Sequence, residues 1–454
     1  MAIKRRAIVW FRQDLRLGDN EALTEALSHA YEVLPVYVFD IRLFKEKDDL
    51  GFPVIGPYRS RFILESVKDL QRSLKRLGSD LIVRIGKPEE EILKIARSVR
   101  SSWVFCNRER TPKEVAVQDT LEQNLWSVGQ ELRYSRGKML YHTGDLPFPI
   151  QHTPDTFGQF KKEVERYVNI REPLERPQKS FNFLMVDVDP GIMPALKDLG
   201  YPDFKVDSRL DFSFKGGESH GLERLKNFIW ESGGIEDYKD GKDELSGLNA
   251  TTKLSPYLAQ GCISPKQVYA EIKRYEDKYG ANKSTEALFV NLMYRDFHRL
   301  MVKKHGNAVF DKGGFQGETD SGLSDDPNKF SVWQKGNTGV PLIDAAMQEL
   351  NQTGYISNRA RQNVASYLVH EMKVNWQYGA AYFESMLIDY DVCSNWVNWN
   401  IVAGISTDPR EDIKLNHEAQ TIKYDPQHEY IDTWLQGISN SKENNTALFE
   451  TTAD

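Results

Sequence analysis

The chain has 454 residues, 40% hydrophobic and 28% charged, with a formal net charge of −7 at pH 7. That composition excludes a fibrous or largely disordered chain, and the acidic balance argues against a protein that coats nucleic acid indiscriminately, although it leaves room for a local basic groove. The apolar run after Lys4-Arg-Arg6 is too short for a signal peptide and no run reaches transmembrane length, so the expectation is a cytoplasmic protein with no membrane partner.

Residues 1 to about 135 alternate short apolar runs with amphipathic stretches. Strands are expected near Ala7–Trp10, Val33–Phe39, Leu81–Ile85, Trp103–Cys106 and Glu131–Tyr134. Helices are expected near Glu21–His29, Tyr58–Leu77, Glu89–Val99 and Pro112–Val128. Such alternation specifies a doubly wound parallel α/β domain. No G-x-G-x-x-G follows the first strand, where the chain reads Arg12-Gln-Asp-Leu-Arg16, so a conventional dinucleotide site at that turn is not expected.

From 136 to 215 the periodicity fades into Pro- and Asp-bearing segments, an interdomain connector with one expected helix, Phe157–Val168. From 216 to 436 the pattern is helical and aromatic, an all-α domain, and the polar 437–454 reads as a disordered tail. Cys106, Cys262 and Cys393 are odd in number and lack a C-x-x-C pair, which leaves a disulfide framework or a metal site without support.

Within the helical half, Thr251-Thr-Lys-Leu-Ser255-Pro256 places hydroxyls just before a helix start, where free N–H groups bind phosphate, and Arg295 offers a cation. Plain N-capping is the competing account. In the stretch from Asn358 to Trp376, read as one helix, Val364, Leu368 and Met372 recur at helical spacing, and Asn358 and Arg361 share a face. If that face turns toward Asp389 and Asp391, the guanidinium gains a carboxylate partner. Asp389-Tyr-Asp-Val-Cys-Ser-Asn395-Trp-Val-Asn-Trp399 then gathers two carboxylates, an amide and two indoles, groups suited to flavin photochemistry. Taken alone, the segment also reads as a Trp-rich core helix with a surface Asp pair.

Five ordered segments carry a resemblance: Trp10–Arg16, Thr251–Pro265, Gly339–Met347, Ser357–Ser366 and Ile388–Trp399. With them the chain resembles the photolyase/cryptochrome family, and within it the DASH-type cryptochromes, from residue 7 to about 435. The resemblance implies an α/β antenna domain and a helical domain holding FAD. It assigns Tyr238, Thr251, Thr252, Leu254 and Ser255 to the cofactor phosphates. Arg361 and Asp389 become an ion pair beside the isoalloxazine, Asp391 the acceptor for its N3–H, and Asn395 the group facing N5. Asn358, Arg361 and Gln362 border the lesion cavity of the family. Trp399 and Trp376 match the first two members of its tryptophan chain, while Leu323 stands where a third, surface indole is expected.

The resemblance also implies a methenyltetrahydrofolate antenna, with Glu109 or Glu114 bonding the pterin and the segments Asp145–Phe148 and Thr156–Phe160 forming part of its wall. Surface helix charge is the competing account of both glutamates. Dimer-splitting relatives carry Glu, Trp and a further aromatic where this chain has Asn291, Tyr294 and Ile401. Asn cannot act as a carboxylate. Three readings stand at this point. The first is a monomeric FAD-binding blue-light receptor, with an unidentified signalling partner and affinity for single-stranded or UV-damaged DNA. The second is a photolyase that repairs cyclobutane pyrimidine dimers in single-stranded DNA, and the third is a non-photoactive FAD scaffold.

Overall fold

In the computed structural model, residues 5–178, 188–317, 322–408 and 413–436 are described. The expected tail 437–454, part of the connector (179–187) and residues 409–412 lie outside them.

Five strands form: β1 (Arg6–Phe11), β2 (Glu32–Asp40), β3 (Ile82–Gly86), β4 (Trp103–Asn107) and β5 (Glu131–Ser135). Apart from their first residues, β1 and β2 are buried throughout, so their side chains are apolar on both faces, as a parallel sheet covered by helices requires. All pairings are parallel, in the order β3-β2-β1-β4-β5. The chain runs outward from β1 to β3, returns to β4 and runs outward again to β5. Direction therefore reverses between β1 and β4, and the crevice beyond the carboxyl ends there is where such sheets hold ligands. The doubly wound sheet expected from the sequence is the one observed.

Pro57–Arg76, Pro88–Val99 and Pro112–Trp126 each begin at a proline whose missing N–H costs nothing in a first turn. The connector carries Phe157–Tyr167 and also 3₁₀ turns at Ile150–His152 and Leu196–Leu199, too short to show a sequence period. Beyond residue 216 the described elements are helices, from Glu218–Lys226 to Glu429–Leu435, the longest being Lys283–His305.

The stretch from Asn358 to Trp376 is not one helix. An α-helix over Asn358–Ser366 widens to a π turn at Tyr367–Glu371 and ends. Lys373 takes a left-handed φ of 55°, and a new helix, Trp376–Met386, starts under an Asn375 cap. Val364 and Leu368 are buried as the spacing requires, whereas Met372, at the break, is only partly so.

The halves share a core. One cluster runs from Phe11, Phe62 and Leu140 through Tyr257 and Phe297 to Trp399, and a second covers the opposite face of the sheet around Ile8, Ile92 and Leu121. Buried Arg16, just past β1, donates to the carbonyls of Asp19 (2.8 Å), Gly137 (2.9 Å) and Gly261 (2.9 Å), so one guanidinium joins three segments. Gly261 has φ +64°, and a Cβ there would lie 2.2 Å from the Gln13 carbonyl oxygen. Only glycine lets the two domains approach this closely at that point.

Candidate functional site

Arg361 lies one turn into its helix, which Ser357 caps by accepting from the Ala360 N–H. Its Nε donates to the Ile356 carbonyl at 3.0 Å and Nη2 to Asp389 at 2.8 Å, the pairing that the shared face with Asn358 suggested. Burial works against the Arg361 charge, but Asp389 more than restores it and the pKa is raised overall. Asn358, at the helix start, is exposed.

Asp391 caps Val392–Val402, accepting from the Ser394 N–H at 3.0 Å. It is ion-paired with Arg299, and Arg295 Nη2 stands 3.9 Å away. Burial alone would lift this carboxyl, and the two guanidinium groups instead hold it well below the usual range. One turn on, Asn395 Nδ2 donates to the Ala380 carbonyl at 3.0 Å, which fixes the amide and leaves its oxygen as the acceptor. Arg299 escaped the sequence reading. Its spacing of four from Arg295 on a long helix was the available signal.

The hydroxyl-rich loop is held from behind by Arg224, another residue the sequence reading missed. Its guanidinium takes the carbonyls of Thr252 (2.9 Å), Leu248 (2.8 Å) and Thr251 (3.2 Å). Thr252 Oγ1 accepts from the Leu254 N–H at 3.2 Å, and Lys253 between them has φ 53°. The helix that follows, Ser255–Ala259, is a single turn with Pro256 in it and no side-chain cap, so the hydroxyls there are not ordinary N-caps. Arg295 reaches the turn that follows this loop and also the carboxylate end of the site. It donates to the carbonyls of Lys138 (3.0 Å) and Leu258 (3.1 Å) and faces Asp391.

Trp376, the first residue of the Trp376–Met386 helix, and Trp399, on the Val392–Val402 helix, are both buried. A Cβ at Gly379 would sit 2.2 Å from the Trp399 ring, so that glycine is what admits the indole. The Trp399 ring lies 5.2 Å from Phe383 and 6.4 Å from Trp333, centroid to centroid. Trp376 Nε1 donates to the Lys312 carbonyl at 3.1 Å and its ring meets Trp396 edge-on at 5.7 Å. Leu323 is partly buried and precedes Ser324, which pairs with Lys373 and Asn375 beside Trp376.

Asn291 Nδ2 donates to the Tyr238 hydroxyl at 2.6 Å, which ties a residue of the expected lesion pocket to one assigned to the cofactor. Tyr294 is stacked on Phe157, with centroids 3.5 Å apart and planes 11° from parallel. Ile401 packs with Val302, Val309 and Val397.

Glu109 follows β4 and is buried in an ion pair with Lys138, while Glu114 accepts from Thr111 Oγ1 at 2.5 Å and Gln13 Nε2 at 3.3 Å. Surface helix charge therefore does not account for Glu109. Burial would raise both carboxyls. Lys138 brings Glu109 down, whereas burial and the charge of Glu109 leave Glu114 raised. The pair lies at the β1/β4 crevice. Phe157 and Phe160 of the expected antenna wall pack on Tyr294 and Phe297, and Asp145 pairs with Arg171 at 2.6 Å.

Three side-chain oxygens of the site, Thr251 Oγ1, Gln362 Oε1 and Asp389 Oδ1, are buried with no hydrogen-bond partner among the described residues. A dinucleotide bearing hydroxyl and ring N–H groups satisfies such atoms, and the residues present fit FAD.

Comparison with known proteins agrees. A family model described as DNA photolyase matches residues 7–178, and one described as the FAD binding domain of DNA photolyase matches 288–452. Cryptochrome DASH of Synechocystis sp. is 40% identical over 434 residues, 95% of this chain and 88% of that protein. Cryptochrome DASH of Gloeobacter violaceus is 42% identical over 435 residues, 96% of this chain and 86% of that protein. The crystal structure of a Synechocystis sp. cryptochrome aligns with a TM-score of 0.89 at 39% identity, covering 97% of this chain and 90% of that one.

Proposed function

The chain belongs to the photolyase/cryptochrome family as an FAD-binding, DASH-type cryptochrome, and from that premise we propose that it is a blue-light receptor rather than an efficient repair enzyme. The observation that carries the reading is the stacking of Tyr294 on Phe157 at 3.5 Å, since the ring expected to pack against a pyrimidine dimer already has a partner within the protein. Asn291 is likewise engaged by Tyr238, and its amide cannot take up or hold a proton as a carboxylate does.

FAD, when bound, supplies the oxidising power of an absorbed photon. Arg361 and Asp389 hold a fixed charge pair at the ring, Asp391 presents an ionised acceptor, and Asn395 offers an amide oxygen to a ring proton. With FAD bound, Trp399 would be the indole that gives up an electron and Trp376 the one that refills it. Thr251, Thr252, Leu254 and Ser255 would hold the phosphate end, with Tyr238 alongside. Glu109, buried beside the β1/β4 crevice, and Glu114, half-buried near it, would be the carboxylates that hold a methenyltetrahydrofolate antenna.

The family match to DNA photolyase supports DNA as a partner, and the reading extends this to residual binding of single-stranded or UV-damaged DNA by a monomer. Among the described residues no helix is long and apolar enough to cross a membrane, and three buried, unpaired cysteines support a reducing, cytoplasmic setting. The test of the receptor reading is a gain of function. Asn291→Glu with Tyr294→Trp should raise light-driven repair of dimer-containing oligothymidine, read by recovery of thymine absorbance. Repair by the unaltered protein that the double substitution leaves unchanged would contradict it.

A further inference from the structure

The indole relay has no donor at its expected outer end, because the aliphatic side chain of Leu323 cannot give up an electron. A second route leaves Trp376. Its ring meets that of Trp396 edge-on at 5.7 Å, and Trp396 is partly exposed. Trp396 Nε1 donates to the Tyr390 hydroxyl at 3.1 Å, and the Glu384 carboxylate lies close enough to that phenol for its charge to raise the phenol pKa. The Arg59 guanidinium lies 4.5 Å over the Tyr390 ring.

These four side chains meet the chemical requirements of an oxidisable tyrosine. A phenol that loses an electron becomes a very strong acid, so it is oxidised in a protein only when a base takes its proton in the same event. Glu384 is that base, the carboxylate beside the phenol. Burial raises its pKa and makes it the more basic, while Arg59 opposes full neutralisation. The fixed positive charge of Arg59 also disfavours a cationic hole on the ring beneath it, which leaves the neutral radical as the accessible product. Tyr390 is partly exposed, as a terminal donor reached by external reductants must be.

We propose that Tyr390 is the terminal electron donor of the light-driven relay, with Trp396 as the carrier between it and Trp376 and Glu384 as the acceptor of its proton. One electron passes from Tyr390 to oxidised Trp396. The O–H bond of Tyr390 breaks and an O–H bond forms on Glu384, giving a neutral phenoxyl radical and a protonated carboxyl group. The oxidant is photoexcited FAD, acting through Trp399 and Trp376. The inference rests on the reading of those two indoles as electron donors.

The test is pulsed blue light on the FAD-loaded protein, with the radicals identified by transient absorption and by electron paramagnetic resonance using ring-deuterated tyrosine. An indole radical should decay as a phenoxyl radical grows, more slowly in deuterium oxide. Tyr390→Phe should abolish the phenoxyl signal and prolong the indole radical, with flavin absorbance retained. Glu384→Gln should also abolish it, and Trp396→Phe should do so while the Trp399 radical still forms. In the cofactor-free protein, Tyr390→Phe and Glu384→Gln should each shift the Trp396 Nε1–H resonance, which reports the Trp396–Tyr390 hydrogen bond without light. A phenoxyl signal that survives Tyr390→Phe, or an indole radical in the unaltered protein that never yields one, would overturn the proposal alone. Failure to form any indole radical would overturn it together with the reading of Trp399 and Trp376.

Discussion

Asp389 is the residue on which the proposed ring end of the site turns. Its side chain is buried, one oxygen is held by Arg361 at 2.8 Å, and the other has no partner among the described residues. Removing Arg361 leaves an unpaired buried carboxylate, for which the cost is about 3–5 kcal/mol. Arg361→Met is therefore expected to lower unfolding stability by that amount and to lose FAD, and Arg361→Met with Asp389→Leu should recover much of the stability but not the FAD. Denaturant titration and flavin absorbance measure the two effects separately. The sequence made this pair legible because Asn358 and Arg361 lie on one face. The partners of Asp391 were not legible, since a guanidinium four residues from Arg295 declares its role only when the long helix is set against the Val392–Val402 cap.

Among the elements, the last described helix, Glu429–Leu435, shows how docking is tied to protonation. Tyr430 donates to Glu349 at 2.5 Å, and burial pushes the Glu349 carboxyl up to about 8. Between its ordinary value near 4.5 and about 8, the folded protein holds a proton that the unfolded chain has released. The contribution of this group is thus fully present below the ordinary value and is lost as pH rises through about 8, with a slope approaching about 1.4 kcal/mol per pH unit. Glu349→Gln, which mimics the neutral form, should gain stability relative to the unaltered protein as pH is raised from mildly acidic to mildly alkaline, as measured by denaturation across that range. An unchanged difference would remove the assignment. Strands and long helices were readable from period and caps. The break after Glu371 was not, because Val364, Leu368 and Met372 keep helical spacing across it and only the left-handed Lys373 ends the run. The packing of the expected antenna wall was not legible for a similar reason. Phe157 and Phe160 carry no mark of which surface they cover, and tertiary packing sends them to Tyr294 and Phe297.

At the scale of the molecule, two halves of different architecture behave as one body because they share a core and because Arg16 satisfies carbonyls from three segments. Arg16→Met leaves those buried acceptors without their donor, at about 1–3 kcal/mol each. A single thermal transition at lower temperature is expected, followed by indole fluorescence and far-ultraviolet circular dichroism. Two separated transitions would contradict a common core. The central claim is that the flavin end of the site and its indoles work while the lesion pocket is closed against repair. The most direct test is blue light on the FAD-loaded protein with an external thiol and dimer-containing oligothymidine, following flavin and thymine absorbance together. The account expects the flavin band to bleach, to bleach markedly more slowly in Trp399→Phe, and thymine absorbance to stay low. Thymine absorbance that recovers at the rate of a working photolyase, or bleaching indifferent to Trp399→Phe, would contradict it.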